Sequence, residues 1–213
     1  MPAQKPIILI GGGGHAKVLL DSLLVLGREV IGFTDINPEC PSLLSVKRLG
    51  GDEVMERYGP DQVELANGMG STERPAFRAQ MYDRFKRLGF AFATVVHPKA
   101  WIASEVTVGE GVQVMAGAVV QAGVRLAADV VINTRAVVEH DCVIGSHTHI
   151  SPGAVLCGGV VVGEGSHIGA TACLIQLVQV GRNCVVGAGA VVLKNVPDGQ
   201  TVFGVPARPA SIP

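Results

Sequence analysis

The sequence has few aromatic residues: one Trp, two Tyr and six Phe, or 4% of 213 residues. That scarcity excludes a core built on stacked rings. The hydrophobic 48% must instead pack as aliphatic and small side chains, as stacked β structure allows. Net charge is nearly absent too, with 17 Lys and Arg against 18 Asp and Glu. A balance of −1 gives no electrostatic footprint for nucleic acid or a membrane surface. Long apolar runs are missing, and the opening one, PIILI, is too short for a secretory leader and far too short to span a bilayer. The five cysteines (Cys40, Cys142, Cys157, Cys173, Cys184) form no CxxC pair and leave an odd one over. Reduced thiols, no metal site and a cytoplasmic location are the resulting expectations.

What the chain has instead is glycine, 28 residues of it, and a repeat. From Ile102 onward an aliphatic residue recurs at every sixth position through Val108, Val114, Val120, Leu126, Ile132 and so on to Val192. Four residues after many of these stands a small or branched residue, such as Ala118, Ala136, Cys142, Ala154, Ala172 or Ala190. This hexapeptide pattern predicts a parallel β-helix. Each hexad supplies a short strand and a turn, and three hexads close a triangular coil of 18 residues. Coils then stack at about 4.8 Å, so residues 18 apart share a column.

The columns predict three faces. Outward residues on the first are Val119, Val137, Val155, Cys173 and Val191, apolar throughout. The second carries Thr107, Arg125, Val143, Val161 and Gln179, and the third Gln113, Val131, His149, His167 and Val185. A long exposed apolar stripe is a liability on a monomer. A triangular prism suits threefold closure, so the first face is expected to be a homotrimer contact.

Ahead of the repeat lies a different grammar. The segment 6–10 reads as a buried strand, Gly11 to Ala16 as a glycine-rich turn, Lys17 to Leu26 as a helix, and Glu29 to Thr34 as a second strand ending at Asp35. Further strands are expected at Val63–Asn67 and Phe90–Val96, with a helix at Pro75–Leu88 between them. A strand, glycine turn, helix, strand unit is Rossmann-like. Gly11, Gly13 and Ala16 loosely match a dinucleotide fingerprint, with Asp35 at the distance of a ribose-binding acid. Such a turn cradles any phosphate, because free N–H groups and the helix dipole face the ligand. Two domains follow, 1–96 and 97–213, the second ending in a C-terminal tail. An NAD-dependent oxidoreductase would need a large catalytic domain after the fingerprint, and the repeat argues against one.

His140 is the first candidate for chemistry. Its column reads Ala122, His140, Gly158, Gln176. A glycine beside the histidine leaves room for substrate, and its N–H could face a developing oxyanion. A histidine next to a carboxylate is a plausible general base. Either Asp141 or Glu139 could orient the ring, provided a turn brings neighbours to one side. His149 and His167 share another column and read as a stacked surface pair, with too few ligands for a metal. Cys142 and Cys184 occupy inward positions, so no cysteine is placed as a nucleophile.

Four stretches complete the picture: Gly11-Gly12-Gly13-Gly14-His15-Ala16-Lys17-Val18 with Asp21, Val96-His97-Pro98-Lys99-Ala100, Ile132-Asn133 through Val138-Glu139-His140-Asp141-Cys142, and Phe203-Gly204-Val205-Pro206-Ala207-Arg208. With these the whole chain resembles the bacterial hexapeptide-repeat sugar acetyltransferases that N-acetylate nucleotide-linked 4-amino-4,6-dideoxy sugars, a group also labelled after sialic acid O-acetyltransferases. The resemblance implies a left-handed coil and acetyl transfer from acetyl-CoA in bacterial surface-glycan (lipopolysaccharide or O-antigen) biosynthesis. It implies His140 as base with Asp141 as partner, and His149, Gly158, Ala170, Gly187 and Ala188 along the acetyl-CoA. The nucleotide would lie on Gly12, Gly13, Gly14, His15 and Asp35, with Asn133 near the sugar. O-acetylation of a sialic acid or similar hydroxyl uses the same base and stays open, as does a non-catalytic nucleotide-sugar-binding protein. The nucleotide base is not legible.

Overall fold

A computed structural model describes residues 4–71 and 75–210. The chain forms two compact units, Met1–Pro98 and Lys99–Pro213.

In the first unit, strand β1 (Ile7–Ile10) has every residue buried. It lies inside a parallel sheet that also contains β2 (Val30–Thr34), β3 (Arg48–Gly50) and β4 (Glu64–Asn67), in the order β3-β2-β1-β4. A continuous apolar run suits a strand covered on both faces. Helix α1 (Gly14–Val25) buries Ala16, Leu19, Leu20 and Leu23. It starts earlier than the apolar periodicity indicates, because Lys17 N–H already bonds to Gly13 O at 3.1 Å.

The edge strand β3 and a short 3-10 helix at Asp52–Arg57 carry no sequence signal strong enough to anticipate. After helix α2 (Pro75–Arg87) the expected strand at 90–96 shrinks to β5 (Val95–Val96) and one bridge, Leu65 to Phe92. Ring packing accompanies the bridge in that stretch. Phe90 sits edge-on to Phe85 at 6.0 Å, and Phe92 lies 4.4 Å from Tyr82.

The second unit is an unbroken run of two-residue strands, from β6 (Trp101–Ile102) to β21 (Val191–Val192), one per hexad. Register is 18 throughout: Val119 pairs with Val137, Val137 with Val155, Val155 with Cys173 and Cys173 with Val191. Inward positions such as Val120, Val138, Leu156, Ile168, Ala136 and Ala154 are fully buried. The small residue matters because three inner faces converge in a narrow prism, where only alternating sizes reach native density. Each edge turns through one left-handed residue per coil. Along one edge these are Gly123, Asp141, Gly159 and Leu177, with φ of 74°, 62°, 68° and 64°.

Two outward faces match the columns read from sequence. On the apolar face Val119, Val137, Val155, Cys173 and Val191 are half-buried, and on the second Arg125, Val161 and Gln179 are exposed. The third differs. Gln113, Val131, His149 and His167 are 1%, 0%, 5% and 9% exposed. The histidines are therefore a stacked pair, as expected, but not a surface one.

The C-terminal segment is more than a tail. Strand β22 (Thr201–Phe203) extends the third face beyond Val185, and β23 (Arg208–Pro209) pairs with it antiparallel. This ends the stack with a short strand carrying a proline, a device that blunts an open edge.

Candidate active site

The glycine turn of the first unit is built around Asp35. Its Oδ2 accepts the Gly12 N–H at 2.8 Å and its Oδ1 the Asn37 N–H at 2.8 Å. Arg48 donates through Nε and Nη2 to the Asp35 carbonyl, at 2.9 and 2.7 Å. The acid expected to hold a ribose thus also ties two loops together, and Arg48 is a member that sequence reading missed. A Cβ on Gly12 would meet Cys40, Phe33 and Asp35 within 3 Å, whereas one on Gly13 or Gly14 would meet nothing. The turn is closed on its inner side and open at the start of α1. The N-cap is Gly13, which has no side chain to cap with, and no acid sits in the first turn, so the helix start is a positive end suited to an anion. His15 is half-buried in the same turn.

In the second unit, His140 Nδ1 lies 2.8 Å from Asp141 Oδ2, with both side chains well exposed. The left-handed φ of 62° at Asp141 is the turn conformation that lets sequence neighbours meet. Glu139 instead continues the ladder, its N–H bonding to Leu156 O at 2.9 Å. An ionised carboxylate only accepts, so it selects the tautomer with Nδ1 protonated and leaves the Nε2 lone pair free.

That lone pair stands over Gly158. A Cβ there would lie 2.5 Å from His140 Nε2. The missing side chain is what makes space at the basic nitrogen. The Gly158 carbonyl and the next N–H belong to the ladder, to Leu177 and His140 respectively. The Gly158 N–H itself has no acceptor among the described residues. A further glycine, Gly123, was not anticipated. A Cβ on it would collide with Asp141 Oδ1, so Gly123 clears room for the carboxylate. Its signal was its position, 18 before Asp141.

The remaining residues collect elsewhere on the prism. Asn133 Nδ2 meets His149 Nε2 at 3.0 Å, while Asn133 Oδ1 accepts the Thr134 N–H at 2.7 Å. The His149 and His167 rings lie 5.3 Å apart, and His167 Nε2 meets Ser151 Oγ at 3.1 Å. Burial pushes the His167 pKa below its ordinary value. Ala170 and Ala188 share the next edge, one coil apart, and Ala188 is exposed. Gly187 has its N–H bonded to Val202 O at 2.7 Å and sits tightly under Phe203, so its amide is not available to a ligand. Within one chain, then, Asn133, His149, Ala170, Gly187 and Ala188 do not join His140, Asp141 and Gly158. Nine residues separate His140 from His149, one and a half hexads, which carries the chain from an edge to the opposite face.

Comparison with known proteins settles the family. Residues 6–85 match the PglD N-terminal domain, 141–176 the bacterial transferase hexapeptide, and 159–194 the hexapeptide repeat of succinyl-transferase. The acetyltransferase domain of PglB from Neisseria gonorrhoeae is 37% identical with a TM-score of 0.92, covering 97% of this chain and 100% of its own. The chain belongs to the hexapeptide-repeat sugar acetyltransferases.

That PglB domain has also been solved with acetyl coenzyme A, at 36% identity over 98% of this chain and 100% of its own, with a TM-score of 0.92. PerB from Caulobacter crescentus, solved with CoA and GDP-perosamine, is 35% identical over 98% of this chain and 99% of its own, with a TM-score of 0.91. The fold is accordingly the left-handed β-helix of these enzymes.

Family membership agrees with the thiol chemistry. Cys142 is fully buried and its thiol is pushed up to about 11, chiefly by desolvation. That is no nucleophile. Among the described residues no His, Cys, Asp and Glu cluster could hold a metal, and no helix is long and apolar enough to cross a membrane.

Near the end of the prism a cavity of about 430 Å³ is lined by Lys194 and Arg208 among others. Lys194 is 54 residues past His140, hence three coils along the same column.

Proposed function

We propose that this protein transfers the acetyl group of acetyl-CoA to the 4-amino group of a nucleotide-linked 4-amino-4,6-dideoxy sugar. The observation that carries the reading is the basic nitrogen of His140 standing over side-chain-free Gly158, with its ring held by Asp141 at 2.8 Å. The PerB relative, crystallised with CoA and GDP-perosamine, supports the substrate class.

In the proposed reaction the amine nitrogen attacks the thioester carbonyl carbon. A C–N bond forms, the tetrahedral oxyanion collapses, and the C–S bond breaks. His140 Nε2 takes the ammonium proton and returns a proton to the departing thiolate, giving amide and free CoA. Asp141 stabilises the imidazolium formed between the two transfers. The Gly158 N–H supplies a donor for the oxyanion. General-base assistance contributes about 10²–10⁴ in rate, and holding the reactants together several kcal/mol more. The coenzyme runs along the His140 column, so that its phosphates reach Lys194 and Arg208 some three coils on, roughly 14 Å. The nucleotide diphosphate rests on Gly12 to His15 at the start of α1.

The separation of His149, Ala170 and Ala188 from His140 favours a site completed by a second copy. In a homotrimer closed on the half-exposed valine face, the edge bearing His140 approaches a neighbour's edge bearing Ala170 and Ala188. The same reading places the enzyme in the cytoplasm, at an acetylation step of bacterial surface-glycan assembly.

The deciding experiment is thiol release from acetyl-CoA against UDP-, dTDP- and GDP-linked 4-amino sugars. Release with at least one of them, and none with the free sugar or buffer, is the expected result. Sedimentation checks the assembly: Val155→Asp puts a charge into the proposed contact and should yield monomers, and a variant that stays trimeric rules that face out.

A further inference from the structure

Beside the glycine turn lies a small cavity whose walls are apolar: Ile10, Ile36, Met69, Phe77 and Met81. Its volume, about 60 Å³, is too small for a nucleoside and admits the edge of one ring. Ile36, 83% exposed, forms a lip at the mouth. Apolar walls beside a glycine turn suit a base whose ribose and phosphates remain outside.

The polar lining has one character. Among the described residues, only Thr34, Asp35 and Asp52 contribute polar side chains. The Thr34 hydroxyl donates its proton to Asp52 Oδ1 at 3.1 Å. Asp52 Oδ2 accepts from Arg84 Nη1 at 3.0 Å, and Arg84 lines a neighbouring cavity rather than this one. The two donors hold the Asp52 carboxylate in place. Each carboxylate oxygen has a second lone pair. Asp35 is likewise an acceptor, engaged by the Gly12 and Asn37 amides. No Lys, Arg, His, Asn, Gln or Ser lines the cavity among the described residues.

A base must therefore present donors to these side chains. Uracil and thymine offer a single N3–H flanked by two carbonyls, both repelled by a carboxylate. Adenine offers its amino group beside N1, a lone pair that opposes the second oxygen. Guanine alone presents two adjacent donors, N1–H and the exocyclic amino group, matched to the two oxygens of one carboxylate. Discrimination of this kind comes as much from repulsion of the wrong edge as from attraction of the right one.

We infer that this cavity reads the nucleobase through Asp52 and selects guanine, so that the donor-recognised substrate is a GDP-linked amino sugar. The inference rests on the nucleotide-sugar reading above and deepens it.

Calorimetric titration of the intact protein with GDP, UDP, dTDP and ADP tests it without reference to turnover. GDP should bind at least tenfold tighter than the other three. Asp52→Asn presents an amide donor in place of one acceptor, and should weaken GDP more than tenfold while leaving UDP little changed or improved. Arg84→Gln, which removes the ion pair but not the acceptor, should keep the order of the four bases, and both variants are checked by thermal melting. UDP or dTDP binding tighter than GDP overturns the inference. Equal loss for all four bases in a folded Asp52→Asn protein also overturns it, since Asp52 would then be only a loop anchor. Failure of every nucleotide to bind, together with no thiol release from any sugar, overturns the nucleotide-sugar reading itself, a distinguishable result.

Discussion

The two units of this protein encode their sites in different ways. In the β-helix, one number does most of the work: residues 18 apart are neighbours, so His140 over Gly158 and Gly123 under Asp141 follow from counting. In the N-terminal unit no such rule exists. Gly12, Asp35, Arg48 and Cys40 meet there although they span a long stretch of chain, joined by a sheet whose edge strand left little trace in the sequence. A repeat converts sequence distance into spatial distance, while a single open sheet does so only through its topology.

The contrast can be pressed hardest at the histidine. His140→Asn should lower kcat by about 10²–10⁴ while leaving nucleotide-sugar affinity within a few fold, because the general base acts after binding. Steady-state kinetics paired with calorimetry reads both. Near-normal turnover in a folded variant removes His140 from its role.

Next in size is core stability. Ile168→Ala and Leu9→Ala each delete a fully buried side chain and should cost about 2–5 kcal/mol. They should differ in reach. A solenoid contacts only its neighbours, so Ile168→Ala should lose hydrogen-exchange protection in the adjoining coils alone. Leu9→Ala, inside an open sheet, should lower protection across β1, β2 and β4 together. Uniform loss after Ile168→Ala would show the coils to be one cooperative block.

A smaller effect tests the glycine that the repeat arithmetic reveals. Gly123→Ala forces a left-handed φ on alanine, costing about 1–2 kcal/mol, and drives its Cβ into Asp141 Oδ1. Turnover should fall about tenfold, as expected if tautomer and ring position are disturbed. Gly165→Ala carries a similar backbone strain on another edge, with φ of 67°, and serves as the control that should melt earlier yet turn over normally.

The smallest effect is on pH dependence. Burial lowers the folded pKa of His167 below its unfolded value. The unfolded chain therefore binds more protons as pH falls through the ordinary histidine range, and stability drops with it. His167→Asn should flatten that acid-side slope between about pH 7 and 5, measured by denaturant titration at each pH. An unchanged slope assigns the acid sensitivity to other groups.

Much of the β-helix was legible beforehand because its signal is long and periodic, and no competing structure satisfies an aliphatic residue at every sixth position over five coils. The turn that joins His140 to Asp141 was legible as a requirement, but the choice between Asp141 and Glu139 was not. That choice depends on the left-handed φ that recurs at every sixth residue and falls on Asp141, while Glu139 stays in the ladder. His149 and His167 were legible as a stack and not as a buried one, since burial is set by neighbours that no column lists.

In the first unit strand β1, the glycine turn and α1 could be read from apolar runs and glycine spacing. The strand expected at 90–96 shows the limit: it survives as β5 and a bridge from Phe92 to Leu65, while Phe90 and Phe92 also pack against rings 4.4–6.0 Å away. By itself the sequence determined the repeat, its register, the histidine and the small residues around it, because those are properties of spacing along one chain. Only the tertiary structure decided which carboxylate holds the ring, that the stacked histidines are buried, and that acceptors line the cavity beside Asp35. Those outcomes depend on side chains from distant segments competing for the same few ångströms.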